Sequence, residues 1–141
     1  MPEPAGDLLV ELTVEGHQDE PWTRRVCTDG AVWEHTNLRT WVEDGQVRQE
    51  HQPLRWERRT TAPPQALEAI ADVVRAHDLL HTPTPQTGQV FGAGTTVWRM
   101  SLDGEQHEIR VEGLPADRVP GLAELDQAIQ LAVAMGVDPG T

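Results

Sequence analysis

Three Asp-Gly dipeptides, Asp29-Gly30, Asp44-Gly45 and Asp103-Gly104, constrain the fold of this chain more than any other feature. Each sits between segments in which apolar and polar residues alternate, the period of a half-buried strand. Asp-Gly in that setting favours a tight antiparallel hairpin, because both central positions of a type I′ turn need positive φ. Taking each turn as two residues long and counting outward sets Arg25 opposite Glu34, Arg39 opposite Glu50 and Arg99 opposite Glu108. Opposite charges directly across two strands are mildly favourable, so all three registers agree with their side chains.

The same counting predicts faces. The third hairpin places Trp98, Met100, Leu102, Ile109 and Val111 on one side and Arg99, Glu108 and Arg110 on the other. That is the pattern of an antiparallel sheet with one covered face. The first hairpin groups Trp22, Val26 and Trp33. The second turns Leu38, Val42 and Val47 inward and leaves Trp41 outward, across from Arg48. Two more stretches read as strands: "DLLVELTVEG", with Leu8, Val10, Leu12 and Val14 alternating, and "PLRWERRT", with Leu54 and Trp56 facing in.

Helical spacing occurs twice. Ala66, Leu67, Ile70, Val73 and Val74 recur through "QALEAIADVVRAHDLL", with Thr61 as candidate N-cap and Pro63 and Pro64 in the first turn, which predicts a helix over 63–79. A second helix starts near Pro120, runs through Leu122, Leu125, Ile129 and Val133, and is capped by Gly136. Strands, helix, hairpin, helix is the order of an α+β fold: an antiparallel β-sheet built from Asp-Gly hairpins, with two α-helices packed on one face. The length of 141 residues suits one domain, read as 1–136 with a flexible tail at 137–141.

A net charge of -12 disfavours nucleic acid and anionic membrane surfaces as partners. No stretch has the length and hydropathy of a membrane span, and the N-terminus lacks a basic start followed by an apolar run, so a cytoplasmic location is expected. The single cysteine, Cys27, rules out an internal disulfide and falls in an alternating strand, where it reads as a small core or outer-face residue rather than a nucleophile. There is no Lys or Tyr, and all eleven cations are Arg, a composition natural to a GC-rich bacterial genome.

Candidate chemistry is sparse. "PTPQTGQVFGAGTT", residues 83–96, is rich in glycine, but a phosphate cradle runs from a strand into a helix, whereas Gly88, Gly92 and Gly94 follow a helix and precede a strand. The loop reads as a mobile crossing connection, with Phe91, the only Phe, anchored to the core or presented to a partner. "HDLLH" places His77 and His81 four apart with Asp78 between them, close to the zincin pattern H-E-x-x-H, though with Asp for Glu and at a helix end before Thr82-Pro83. His17, His35, His51 and His107 scatter over turns and strand ends, and His107 faces Met100 at the rim of the apolar face. Ser101, the only Ser, has no His and acid partner for a triad. No cofactor is expected.

The C-terminal half resembles the emfourin-type domains, small bacterial proteins that include inhibitors of thermolysin-like metallopeptidases. The resemblance rests on the succession "PPQALEAIADVVRAHDLLHTP", a loop, "TTVWRMSLDGEQHEIRVEGLP" and "GLAELDQAIQLA", about 75 residues. The segment from Trp33 to Trp56 is an addition to that plan, so the resemblance implies an architecture and not a set of site residues.

The function expected from these readings is binding of another protein, which the resemblance implies to be a peptidase, by a non-catalytic domain whose contact residues are Trp41, Arg48, Gly88, Phe91, Gly92 and Gly94. Two alternatives are a metal-dependent hydrolase using His77, Asp78 and His81, and a small-ligand binder with a pocket between sheet and helices lined by Trp22, Trp33, Trp56 and Trp98.

Overall fold

A computed structural model describes residues 4–15 and 22–137, with backbone alone for 38–41. The described residues form an α+β fold. Strands β1 (Leu8–Glu15), β2 (Trp22–Cys27), β3 (Ala31–Glu43) and β4 (Gln46–Thr61) precede helix α1 (Pro64–Ala76); β5 (Gln86–Thr87), β6 (Thr95–Leu102) and β7 (Glu105–Glu112) precede helix α2 (Leu122–Met135). The sheet order is β4-β3-β2-β1-β6-β7-β5, antiparallel except for the two-residue β5, which lies parallel to β7.

The second and third hairpins have the counted registers: Arg39 faces Glu50, Trp41 faces Arg48, and Arg99 faces Glu108. Asp44, Gly45, Asp103 and Gly104 all have positive φ, as two-residue type I′ turns require. The first hairpin differs by one residue. Its loop is Thr28-Asp29-Gly30, because the Gly30 N–H donates to the Cys27 carbonyl and the Asp29 carboxylate accepts from the Ala31 N–H at 2.9 Å. Val26 therefore faces Val32, and Glu34 meets Arg24 rather than Arg25. One residue of slip also reverses a side chain's face. Trp33 consequently lies on the face opposite Val26, with Arg25, and Trp56, paired with His35, lies on that face too rather than in the core as the alternation of its strand suggested.

The core lies between one sheet face and the two helices. Val10, Leu12, Val26, Val32, Trp98, Met100, Ile109 and Val111 from the sheet pack with Ala66, Ile70 and Val74 of α1 and Leu122, Leu125, Ile129 and Ala132 of α2. Thr61 closes β4 and caps nothing; the N-cap of α1 is Pro63, and the helix ends at Ala76 rather than at 79. Gly136 does cap α2, but with φ of -70°, so its value is space: a Cβ there would stand 2.1 Å from the Thr60 hydroxyl. That closeness lets Val137 exchange two backbone hydrogen bonds with Thr61 at the outer edge of β4, so the chain is tied at the first residue of the expected tail. The rest of that tail, 138–141, lies outside the described residues.

Beyond its last pair with β2, Thr23 with His35, the β3–β4 hairpin leaves the sheet as a two-stranded arm. Val42 and Val47, expected to face inward, are 71% and 68% exposed. The period-two signal is real, but no described element covers this part of the ribbon.

Candidate functional site

Four places were singled out by sequence, and the fold treats them differently. The loop at 83–96 is fastened by backbone. Gly88 N–H donates to Glu112, Val90 N–H to Gly113, and Gly113 N–H back to Gly94, each at 2.8 to 2.9 Å. Gly88 is required by crowding, since a Cβ would approach the Gly113 carbonyl oxygen to 2.9 Å. Gly92 and Gly94 have positive φ and turn the chain between those anchors. Phe91 sits at the tip and is fully exposed, at 104% of its reference area, with half-exposed Val90 beside it. The loop therefore presents Phe91 and does not bury it. Phe91, Gly92 and Gly94 form one turn beside Glu15 and Thr95, with Gly88 at its base against Glu112.

Trp41 and Arg48 lie across from each other on the arm. Arg48 is exposed, while the side chain of Trp41 is outside the described residues. The arm and the Phe91 turn project from the same end of the sheet, where β1 and β7 finish and β2 and β6 begin. They rise from opposite flanks, the arm from β3 and β4 and the turn next to β5. The candidate contact residues are thus two separate groups at one end.

The metal reading of "HDLLH" does not fit the backbone. His77 is the C-cap of α1, Asp78 has φ of +51°, and Leu79–His81 form a 3₁₀ turn, so the two histidines do not share a helix face. His77 packs against Gly121, where an added Cβ would lie 2.6 Å from the His77 Cβ. His81 is spoken for at both ring nitrogens, with Asp78 at 2.6 Å on Nδ1 and Glu105 at 3.0 Å on Nε2. The hydrogen bond to Asp78, then the charges of Asp78 and Glu105, hold its pKa above the ordinary imidazole value. Among the described residues no three His, Cys, Asp or Glu side chains are grouped to hold a metal ion. His107 pairs with Met100, and its Nε2 donates to the Thr82 carbonyl at 2.7 Å.

The uncovered sheet face carries a ladder of paired groups. The Arg25 guanidinium lies 5.1 Å from the centre of the Trp56 ring and bonds Glu11 at 2.6 Å; Arg99 links Glu11 to Glu108. Glu11 is 5% exposed although no helix covers it, because these arginines close over it. Cys27 lies buried on the same side, near Gly6, and burial pushes its thiol pKa up, the opposite of what a nucleophile needs.

A place that the sequence reading reached only in part is a cleft of about 600 Å³ between the sheet and the C-terminal half of α2. Its walls include Trp22 and Trp98, two of the four tryptophans expected to line a pocket; Trp33 and Trp56 are on the other face. Its helical wall contains Asp126, Gln130 and Ala134. The one-residue slip of the first hairpin set Trp33 apart from Trp22 and Trp98, and the small side chains Ala116 and Ala134, which leave the space open, carry no periodic signal.

No protein-family model matches this chain, and no curated protein matches it in sequence. Geometry is thus the ground for a functional reading. Among the described residues no helix is long and apolar enough to cross a membrane.

Proposed function

We propose that this chain is a non-catalytic domain that binds another protein, with the turn around Phe91 as its principal contact. The observation that carries this reading is a fully exposed phenylalanine at the tip of a turn whose base is held by backbone hydrogen bonds. An exposed aromatic ring gains most from burial at an interface, and a preformed turn loses little conformational freedom when it docks. The exposed arm with Arg48 is the second contact, reaching the same partner from the other flank of the sheet.

The partner proposed first is a thermolysin-like metallopeptidase, inhibited by insertion of the turn, with both proteins in the cytoplasm of a bacterium. This finer reading follows from the emfourin-type succession of residues in the C-terminal half. It is tested by titrating a peptidase of that class with the wild-type chain and with Phe91→Asp. Stoichiometric inhibition that weakens by about thirtyfold or more in the variant, with unfolding unchanged, is expected. Absence of inhibition by wild type removes the peptidase. The broader reading is then decided by a photo-crosslinker at position 91 in the producing cell, and failure to trap any protein there removes that too.

A further inference from the structure

We propose that the outer edge of β4, from Leu54 to Arg59, takes an extended acidic peptide as an additional strand of the sheet. This site does not rest on the Phe91 contact, which lies on the opposite flank.

The first observation is the edge itself. The sheet ends on β4 at one side and on the two-residue β5 at the other, so β4 carries its long open edge. Alternate residues of an edge strand turn N–H and C=O away from the sheet, and those groups are a template for another strand. At one end the template is already in use. Thr61 donates to the Val137 carbonyl at 2.9 Å and accepts from the Val137 N–H at 3.0 Å, and the Thr60 hydroxyl bonds the same carbonyl. At the other end Pro53 has no N–H to offer. Between them, Leu54–Arg59 have no strand on their outer side among the described residues, while Arg55–Arg58 pair in unbroken register with β3 on the inner side. That is the length of an ordinary strand.

The second observation is charge. Although the chain carries a net charge of -12, three of its eleven arginines, Arg55, Arg58 and Arg59, stand in this run. On the helix side of the sheet Arg59 lies 2.5 Å from Glu34 and 3.6 Å from Glu57. Glu34 is shared with Arg24 at 2.8 Å, and Glu57 with Arg55 at 3.2 Å, so two carboxylates answer three guanidinium groups. On the open face Arg58, across from Trp33, is exposed and donates to the Thr61 hydroxyl at 2.7 Å. No carboxylate pairs with it among the described residues. Both faces of the edge therefore hold positive charge in excess, and a strand laid beside β4 sets its side chains next to these arginines, alternately on one face and the other.

The same charges choose the occupant. Two copies of the chain joined along β4 would bring three arginines and one glutamate from each run together, and like charges across strands oppose pairing. A nucleic acid offers phosphates but no peptide groups to meet the outward N–H and C=O. An extended peptide rich in glutamate or aspartate supplies both, the main chain pairing with the edge and the carboxylates meeting Arg58 and the Arg55–Arg59 side.

The experiment uses two acetylated and amidated heptapeptides, one alternating glutamate with valine and the other lysine with valine. Each is titrated into the full chain and followed by backbone amide NMR and calorimetry. The glutamate peptide should bind saturably, shift the amide signals of 54–59 and slow their hydrogen exchange, with affinity about tenfold or more above that of the lysine peptide. Arg58→Glu, at an exposed position, should weaken the glutamate peptide about tenfold and leave unfolding unchanged. Two further forms of the glutamate peptide carry N-methyl groups on complementary sets of alternate residues. One form should lose binding and the other keep it, because the added strand pairs along one of its edges only. Phe91→Asp should leave the titration unchanged, so failure of the Phe91 reading does not carry over to this one. No shift at 54–59 with the glutamate peptide, equal binding of the lysine peptide, or undiminished binding of both N-methylated forms, which would leave charge alone as the hold, would each overturn the proposal.

Discussion

The β6–β7 and β3–β4 hairpins begin from the same local instruction and end in opposite surroundings. Each has an Asp-Gly type I′ turn, alternating residues and an Arg-Glu pair in the counted register. In β6–β7 the apolar side is the middle of the core, with Ile109 and Val111 wholly buried. Its turn is gripped as well: Arg75 of α1 bonds Asp103 through two hydrogen bonds of 3.0 Å, and His81 reaches Glu105. In β3–β4 beyond Thr36, the described valines Val42 and Val47 are exposed and meet no second layer. Turn chemistry and alternation determine pairing and register; whether the apolar side is buried depends on what the rest of the chain can lay over it. A two-stranded ribbon alone is marginal in water, which makes the arm a region that a partner can order.

The largest effect sharpens this contrast directly. Trp98→Ala should cost about 3–5 kcal/mol, the range for removing a large buried ring, while Val47→Ala should stay within about 0.5 kcal/mol, as for other exposed sites. Urea unfolding of both variants at one pH measures the difference. A cost at Val47 near that at Trp98 would mean that the arm is covered in solution, and the contrast would collapse.

Glycine substitutions come next. Gly30 has φ of +95°, and a Cβ there would stand 2.6 Å from the Ala62 carbonyl oxygen, so Gly30→Ala combines backbone strain with a clash and should cost about 3 kcal/mol. Gly45, at the tip of the arm, has φ of +76° and nothing within 4 Å of the added carbon. Its replacement by Ala should cost about 1 kcal/mol from conformation alone. Equal losses would show that the first loop yields as easily as the arm.

The ion pairs of the open face give a smaller, graded effect. Glu11 is buried beneath Arg25 and Arg99, and Glu11→Gln should cost about 2 kcal/mol because it leaves a charged bond unanswered. Glu108, about half exposed on the same ladder, should cost less than about 0.5 kcal/mol when changed to Gln. Chemical unfolding at neutral pH separates the two.

Legibility followed the same division. The two type I′ hairpins, both helices and the buried side of β6–β7 were readable because each depends on neighbours within a few residues in sequence. The first hairpin was misread by one position, since the Asp29 side chain and the Gly30 N–H close a three-residue loop that the dipeptide alone does not distinguish. That slip sent Trp33 to the wrong face, and the alternation of "PLRWERRT" did the same for Trp56, which together hid the cleft's true walls. The parallel β5 was not foreseen: two residues of "PTPQTG" carry no alternation, and their pairing with Val111 and Glu112 is a tertiary event. The exposure of Phe91 was one of two options in the sequence, and the backbone bonds that Gly88 and Val90 donate to Glu112 and Gly113 hold the turn that presents it.

The smallest prediction concerns how the gripped turn responds to pH. His81 is a surface residue whose two ring nitrogens face Asp78 and Glu105, and its pKa in the fold is raised above its ordinary value of 6.5. A raised pKa means that the fold binds the proton more tightly than the unfolded chain does. The stabilisation is therefore fully present below about pH 6.5 and is lost as pH rises through the folded value. His81→Asn should remove this dependence, so the stability difference between wild type and variant should be largest in mild acid and shrink at alkaline pH. Imidazole titration by NMR gives the cause as well as the sign. Asp78→Asn should lower the His81 midpoint more than Glu105→Gln does, because the hydrogen bond to Asp78 is the largest contribution. The reverse order would place the main hold on the β7 side of the turn, and the grip that separates this hairpin from the arm would then come from the sheet rather than from the end of α1.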